Sequence, residues 1–156
     1  MTAASRRLRV ATELDVADAA RAARELAERC GLTAVEAEHV ATATSEVATN
    51  AVKYGSGGEV ELRAAERDGR AGVEVCVRDA GPGIADVTAA MRDGTSTGGS
   101  LGLGLPGARR LMDAFAIDTG PGRGTIVRMA RWAGEPAAGE APLDCTVVPG
   151  AGGEAI

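Results

Sequence analysis

The stretch TAVEAEHVATATSEVATNAVKYG, from Thr33 to Gly55, reads as one amphipathic helix with an unusual polar side. Thr33 with Glu36 three residues on forms a capping box, and the run Gly55-Ser56-Gly57-Gly58 stops the helix near Tyr54. On a wheel of about 100° per residue, Val47, Val40, Ala51, Ala37, Ala48, Ala41 and Val52 share one arc with Thr44, suited to lie on a sheet. Glu46, Asn50, Lys53, Thr42 and Thr49 fall on the other side, together with Val35 and Ala43. Glu46 and Asn50 are four apart, so they are stacked neighbours. Both present oxygen atoms, which suit a hard cation such as Mg²⁺ held by one or two protein ligands and substrate phosphates. Lys53 is the only lysine among 17 Lys and Arg residues, and a compact ammonium is a phosphate partner. A solvated outer face gives the same pattern, so the helix alone leaves both readings open.

Towards the N-terminus, Leu8 to Thr12 reads as a strand, Asp15 as the cap of a helix over Val16 to Cys30, and Gly31 as its stop. Towards the C-terminus, Val60, Leu62 and Ala64 alternate, as do Val73, Val75 and Val77, with Asp68-Gly69 as the turn between two strands. A short helical stretch is expected around Asp86 to Asp93. The segment from Gly94 to Gly104 has almost no regular pattern. A helix over Leu105 to Ala114 precedes two strands, Phe115 to Thr119 and Thr125 to Arg131. From Ala133 the chain is rich in Ala, Gly, Pro and Glu and reads as a disordered tail. The order implies an α/β fold: a two-layer sandwich of a mixed, mainly antiparallel sheet with helices on one face. The domain is expected over residues 1–132 and the tail over 133–156.

Two glycine-rich segments interrupt this pattern. Asp79-Ala80-Gly81-Pro82-Gly83 follows the third strand, and its glycines permit positive φ and close approach of backbone to a flat ligand. A tight turn with Asp as its hydrogen-bonding residue is the plain alternative. A carboxylate here repels phosphate, so in a nucleotide site Asp79 is expected to face the base, accepting from the adenine amino group and disfavouring guanine. The run from Gly94 to Gly107 holds G-x-G-x-x-G at Gly102, Gly104 and Gly107. No strand precedes it, as a dinucleotide fingerprint requires, and no phosphate-loop motif is present. A loop running into a helix N-terminus remains, with backbone N–H groups and a dipole that favour phosphate. A flexible linker is the alternative, but Leu101, Leu103 and Leu105 beside the glycines fit a closing lid better.

An E-x-x-x-N helix, a D-x-G-x-G turn and a G-x-G lid in this order resemble the GHKL (Bergerat-fold) ATPases. EVATNAVKYG (Glu46–Gly55), RDAGPGI (Arg78–Ile84) and the segment from Asp93 to Phe115 are similar to the small anti-sigma-factor and stressosome switch serine kinases of bacteria. The resemblance spans Arg9 to Trp132. It implies an ATP site in which Asn50 matches the Mg²⁺ ligand, Asp79 the adenine-reading carboxylate and Thr125 a residue near the base. Gly81 and Gly83 match the turn under the base. Gly102 and Gly104 match the lid backbone at the phosphates, and Thr97, Gly98, Gly99, Ser100, Leu101 and Leu103 complete the expected lid, with Lys53 as a further contact. Glu46 matches the general base that draws the proton from a substrate hydroxyl.

The implied function is ATP-dependent protein-serine/threonine kinase in a partner-switching pathway. The implied partners are a STAS-domain antagonist protein and a sigma factor or PP2C-type phosphatase. A non-catalytic, nucleotide-gated binding module is the alternative. Thr95 departs from the pattern where an aromatic residue is expected, and the NAVKYG ending favours the anti-sigma branch while GLGLPGARRLMDAF and GRGTIVRM favour the switch-kinase branch. A histidine-kinase catalytic domain would need a histidine-bearing dimerisation helix, and His39, the only histidine, lies on the polar face beside Glu46.

Composition bounds these readings. With 156 residues the chain suits one domain, and a formal net charge of −5 argues against non-specific nucleic-acid binding or a polybasic membrane surface. No secretory signal and no run of eighteen apolar residues is read, and three unpaired cysteines, Cys30, Cys76 and Cys145, fit a reducing cytoplasm.

Overall fold

A computed structural model describes residues 5–82, 104–134 and 145–147. Six strands form one sheet in the order β1-β2-β3-β5-β4-β6. They are β1 (Ser5–Val10), β2 (Gly58–Arg67), β3 (Arg70–Asp79), β4 (Ala114–Thr119), β5 (Thr125–Trp132) and β6 (Cys145–Val147). All neighbours are antiparallel except β4 and β6, which run parallel. Among the described residues three helices accompany the sheet: α1 (Glu13–Arg29), α2 (Ala34–Tyr54) and α3 (Gly104–Leu111).

Period-two alternation sorts the sheet into two faces. Val60, Val77, Val127 and Ile117 lie opposite one another across four strands, and Leu62, Val75, Met129 and Phe115 form the next row. All eight are buried and belong to one core with the helices. The intervening positions carry charge: Arg63 and Glu74 pair at 2.7 Å, and Glu61 lies 3.6 Å from both Arg7 and Arg78. The sandwich of a mixed, mainly antiparallel sheet with helices on one face is therefore the fold observed.

Alanine dominates the helical side of the core. Ala19, Ala23 and Ala27 of α1 and Ala37, Ala43 and Ala48 of α2 have no exposed surface, and the two helices pack closely along their length. Small side chains at such a contact allow a short interaxial distance. Thr44 is fully buried among them because its hydroxyl donates to the Val40 carbonyl at 2.8 Å, so no donor is stranded. Ala43 lies on the side of α2 that carries Glu46, yet it is buried. That side is thus partly covered rather than wholly solvated.

Helix ends follow the sequence with one change. Thr33 and Glu36 form the expected capping box, and Gly55 caps the C-terminus of α2. At α1 the N-cap is Thr12 and not Asp15. Asp15 is the partner three residues on, accepting from the N–H groups of Ala11 at 2.9 Å and Thr12 at 3.2 Å. The helix therefore begins earlier than Val16, and β1 ends at Val10 instead of Thr12. Asp68 and Gly69 both have positive φ, 51° and 77°, as a two-residue hairpin turn requires.

Within the stretch expected as a tail, Cys145–Val147 pairs parallel with Phe115–Ile117 as β6. Thr146 and Val147 are β-branched strand formers, and their pairing covers the otherwise free edge of β4. The helical stretch expected around Asp86 to Asp93 lies outside the described residues.

The two faces give a direct test. Leu62→Ala, in the core row, should lower unfolding free energy by about 2–5 kcal/mol in urea titrations. Glu74→Gln, on the charged face, should cost about 1 kcal/mol or less.

Candidate functional site

The apolar rows of the sheet end in a polar one. Gly58, Asp79, Thr125 and Thr119 stand opposite each other on β2, β3, β5 and β4, one pair beyond the row of Val60, Val77, Val127 and Ile117. They share its helix-covered face, since two positions separate the rows along each strand. Asp79 is half-buried, Thr125 is buried and Thr119 retains 1% exposure.

Glycine shapes the surroundings of Asp79. A Cβ on Gly55 would overlap the Asp79 carboxyl group, one on Gly81 would overlap the Gly55 backbone, and one on Gly124 would overlap the Asp79 carbonyl. Three separate segments thus close on one carboxylate: the end of α2, the turn after β3, and the β4–β5 turn. They are stitched together as well, because Gly124 N–H donates to the Gly81 carbonyl at 2.9 Å and Gly122 N–H to that of Pro82 at 2.6 Å. Gly124 has φ 63°, so a side chain there is opposed by both space and backbone.

Burial pushes the Asp79 carboxyl above its ordinary range, and the N–H groups of Gly81 and Thr125, which donate to it, partly offset this. The Gly81 bond to Oδ1 is 2.9 Å long. Two fixed backbone donors orient the carboxylate and leave it further lone pairs with which a ligand could be held.

The second part of the site runs along α2. Glu46 and Asn50 are both half-buried, and neither forms a hydrogen bond or ion pair among the described residues. At 1.5 Å per residue, Asn50 stands about 7.5 Å and Glu46 about 13.5 Å back from Gly55 along the helix. One rigid helix therefore carries, in order, the group packed on Asp79, an amide oxygen and a carboxylate. Lys53 is exposed, one turn from Asn50. His39 lies farther along the same side, half-buried, with its Nδ1 unpartnered. The N-terminus of α3 begins at Gly104, and α3 packs on α2 through a buried apolar side that includes Leu105 and Ala108, with Met112 buried just past its end.

The structure thus brings Asp79, Gly81 and Thr125 together at the end of α2 and places Glu46 and Asn50 on its ridge. Gly83 and the lid positions Thr97, Gly98, Gly99, Ser100, Leu101, Gly102 and Leu103 lie outside the described residues. Sequence reasoning used Gly55 only as a helix stop and missed Gly124 and Thr119. Only the register opposite Thr125 marks Thr119, and a single sequence does not display register.

A bound adenine nucleotide fits these residues. The glycines let the Gly55, Gly81 and Gly124 segments pack directly on Asp79 and on one another, and the acceptors of its carboxylate suit an amino group. Among the described residues no three His, Cys, Asp or Glu side chains converge, so an Mg²⁺ at Asn50 would rely on phosphate oxygens for other ligands.

Comparison with known proteins agrees with this geometry. Residues 10–131 match the histidine kinase-like ATPase domain family, and the chain belongs to that family. It is 37% identical over 125 residues to the serine/threonine-protein kinase RsbT of Bacillus subtilis (strain 168), covering 80% of this chain and 94% of the relative. It is 32% identical over 108 residues to an anti-sigma F factor of Caldanaerobacter subterraneus subsp. tengcongensis, covering 65% of this chain and 74% of that protein. An anti-sigma F factor of Thermoanaerobacter sp. (strain X514) is 31% identical over the same length.

Gly55 lies at φ −107°, which alanine tolerates, so Gly55→Ala isolates the steric effect. It should weaken ATP binding at least tenfold in calorimetric titrations while far-UV circular dichroism is unchanged. Acidity supplies a second check. Asp79 accepts most strongly when ionised and its pKa is raised, so ATP affinity should fall on acidification at a pH above the ordinary aspartate range, and Asp79→Asn should abolish that limb. In the ligand-free protein the sign reverses. The folded state holds this proton more tightly than the unfolded chain, so stability from this group declines as pH rises through the raised pKa.

Proposed function

We propose that this chain is an ATP-dependent protein-serine/threonine kinase of a partner-switching pathway. In this reading it phosphorylates a STAS-domain antagonist protein and thereby controls a sigma factor or a PP2C-type phosphatase. One observation carries the enzymatic part: Glu46 and Asn50, half-buried and four residues apart on a helix whose end is packed against Asp79, have no hydrogen bond or ion pair among the described residues. The relatives support it, being a serine/threonine kinase over most of the chain and anti-sigma factors over a shorter span.

The roles follow from chemistry and position. Asp79, oriented by Gly81 and Thr125, accepts from the adenine amino group and so fixes the nucleotide at one end of α2. Asn50 offers a neutral amide oxygen to Mg²⁺, which neutralises charge on the phosphates when bound. Lys53 contributes a mobile positive charge at the same end. Glu46, about 6 Å farther along the helix, accepts the proton of the partner's hydroxyl as that oxygen bonds to the γ-phosphorus of ATP, whose bond to the β–γ bridging oxygen breaks to release ADP. Transfer of this kind depends mainly on alignment and charge, so a rigid helix carrying both groups is sufficient scaffolding. In this reading Gly83 belongs to the turn under the base, and Gly102 and Gly104 belong to the lid whose backbone meets the phosphates. The absence of any helix long and apolar enough to cross a membrane among the described residues accords with a cytoplasmic setting.

A nucleotide-gated binding module that transfers nothing is the competing possibility, and Glu46 separates the two. With labelled Mg-ATP and a STAS-domain protein, the wild type should phosphorylate a Ser or Thr of the partner. Glu46→Ala should lower the rate at least a hundredfold with ATP affinity within about threefold of wild type. Transfer by Glu46→Ala at the wild-type rate would remove the base from the mechanism. Partner control that persists in the mutant without transfer would establish the binding module.

A further inference from the structure

We propose that the outer edge of β4 is a docking site for an extended strand of a protein partner, and that this chain keeps the site closed with β6, a removable cover. The proposal stands apart from the ATP reading above.

The two edges of the sheet are protected in different ways. In the strand order, β1 is outermost on one side and β6 on the other. β1 reads SRRLRV, with Arg6, Arg7 and Arg9 all exposed, and charge along an edge opposes pairing with another chain. β4 reads AFAIDT and has no Lys, Arg, Pro or Gly. Its one charged residue, Asp118, is buried, with Arg123 at 3.4 Å. Phe115, Ile117 and Thr119 favour extended backbone, so β4 left at an edge would pair readily with a further strand. β6 takes that place, running parallel with Phe115 opposite Cys145, Ala116 opposite Thr146 and Ile117 opposite Val147. The filled register shows what the edge accepts: an extended segment with β-branched residues, running in the direction of β4.

The cover is weak where the rest of the sheet is strong. β6 has three residues against six in β4, so half of the β4 edge lies outside its register. Its pairing is parallel, slightly weaker per residue than the antiparallel pairing of every other neighbour. Residues 133–144 separate it from β5, and the chain is clamped where it enters them. Arg70 donates to the carbonyls of Ala133 at 2.8 Å and Gly134 at 2.6 Å, and Ala133 N–H donates to the Ala71 carbonyl at 2.8 Å. The end of β5 is thereby held whether or not β6 is in place. β6 also lies beyond residues 10–131, the span matched to the ATPase domain family. A partner strand that pairs along all of β4 makes more ladder bonds than β6 does, and this gain offsets the advantage that tethering gives to β6.

Hydrogen exchange on the full wild-type chain tests the cover. Amides of Cys145–Val147 should exchange about a hundredfold faster than those of Val127–Met129 in β5, and equal protection overturns the proposal. Peptide binding tests the site. Thr146→Pro with Val147→Pro, made in the full chain, removes two successive N–H groups, of which one must face β4 because they alternate. By fluorescence anisotropy under reducing conditions, this variant should bind a labelled peptide of residues 143–148 about tenfold more tightly than the wild type does. The same two prolines placed in the peptide should abolish binding. If β6 is only a part of the fold, the variant loses stability and gains no affinity for the peptide, and that result overturns the proposal. Self-association of the variant that excess peptide reverses would support the same edge; association that persists with no peptide bound would overturn it. Should the variant not fold, Thr146→Gly with Val147→Gly reads the same affinities.

Discussion

A carboxylate at the end of an apolar sheet is costly to desolvate, and the accommodation of Asp79 organises what surrounds it. Two backbone N–H groups, from Gly81 and Thr125, compensate part of the lost hydration. To bring them within reach the turn after β3 must fold back, and the β4–β5 turn must approach from the other side. The end of α2 then lies against the carboxyl group with no room for a side chain on Gly55. Each contact is short and none tolerates even a methyl group. The position of α2 along the sheet is therefore set by the same contact that orients the ligand-binding acceptor.

This coupling has a functional consequence. Asn50 and Glu46 are on α2, and their distance from the acceptor is fixed by helical rise rather than by a loop. A helix seated on Asp79 and packed through alanines against α1 has little freedom to slide. In the proposed kinase, the end of the site that carries Glu46 is thus indexed to the end at Asp79. Catalysis by positioning requires such an index, because a misplacement of about 1 Å is enough to cost two orders of magnitude in rate.

Division of labour between the sheet faces supports the same arrangement. One face spends its apolar residues on the core and ends in the polar row. The other carries paired charges such as Arg63 with Glu74, which keep a broad sheet soluble but contribute little to stability. At its far edge β4 is covered by the short parallel strand β6, from beyond the matched domain. Pairing of this kind removes an exposed ladder of backbone groups that would otherwise template association.

Much of this was legible in the chain itself. Periodicity marked the alternating strands and the apolar arc of α2, and the Thr33–Glu36 box and the Asp68-Gly69 turn gave local boundaries, because these depend on residues a few positions apart. The same locality misled at Asp15, where Thr12 three residues earlier was the better cap. Spacing also singled out Glu46, Asn50 and Asp79, since stacked neighbours on a helix and a glycine-flanked acid after a strand are local patterns. The sequence by itself could not say that Gly55, Gly81 and Gly124 meet around one carboxylate, that Thr119 stands behind Thr125, or that Cys145–Val147 returns to pair with β4. Those are facts of register and of contact between distant segments, and only the closing of the sheet and the seating of α2 upon it decided them.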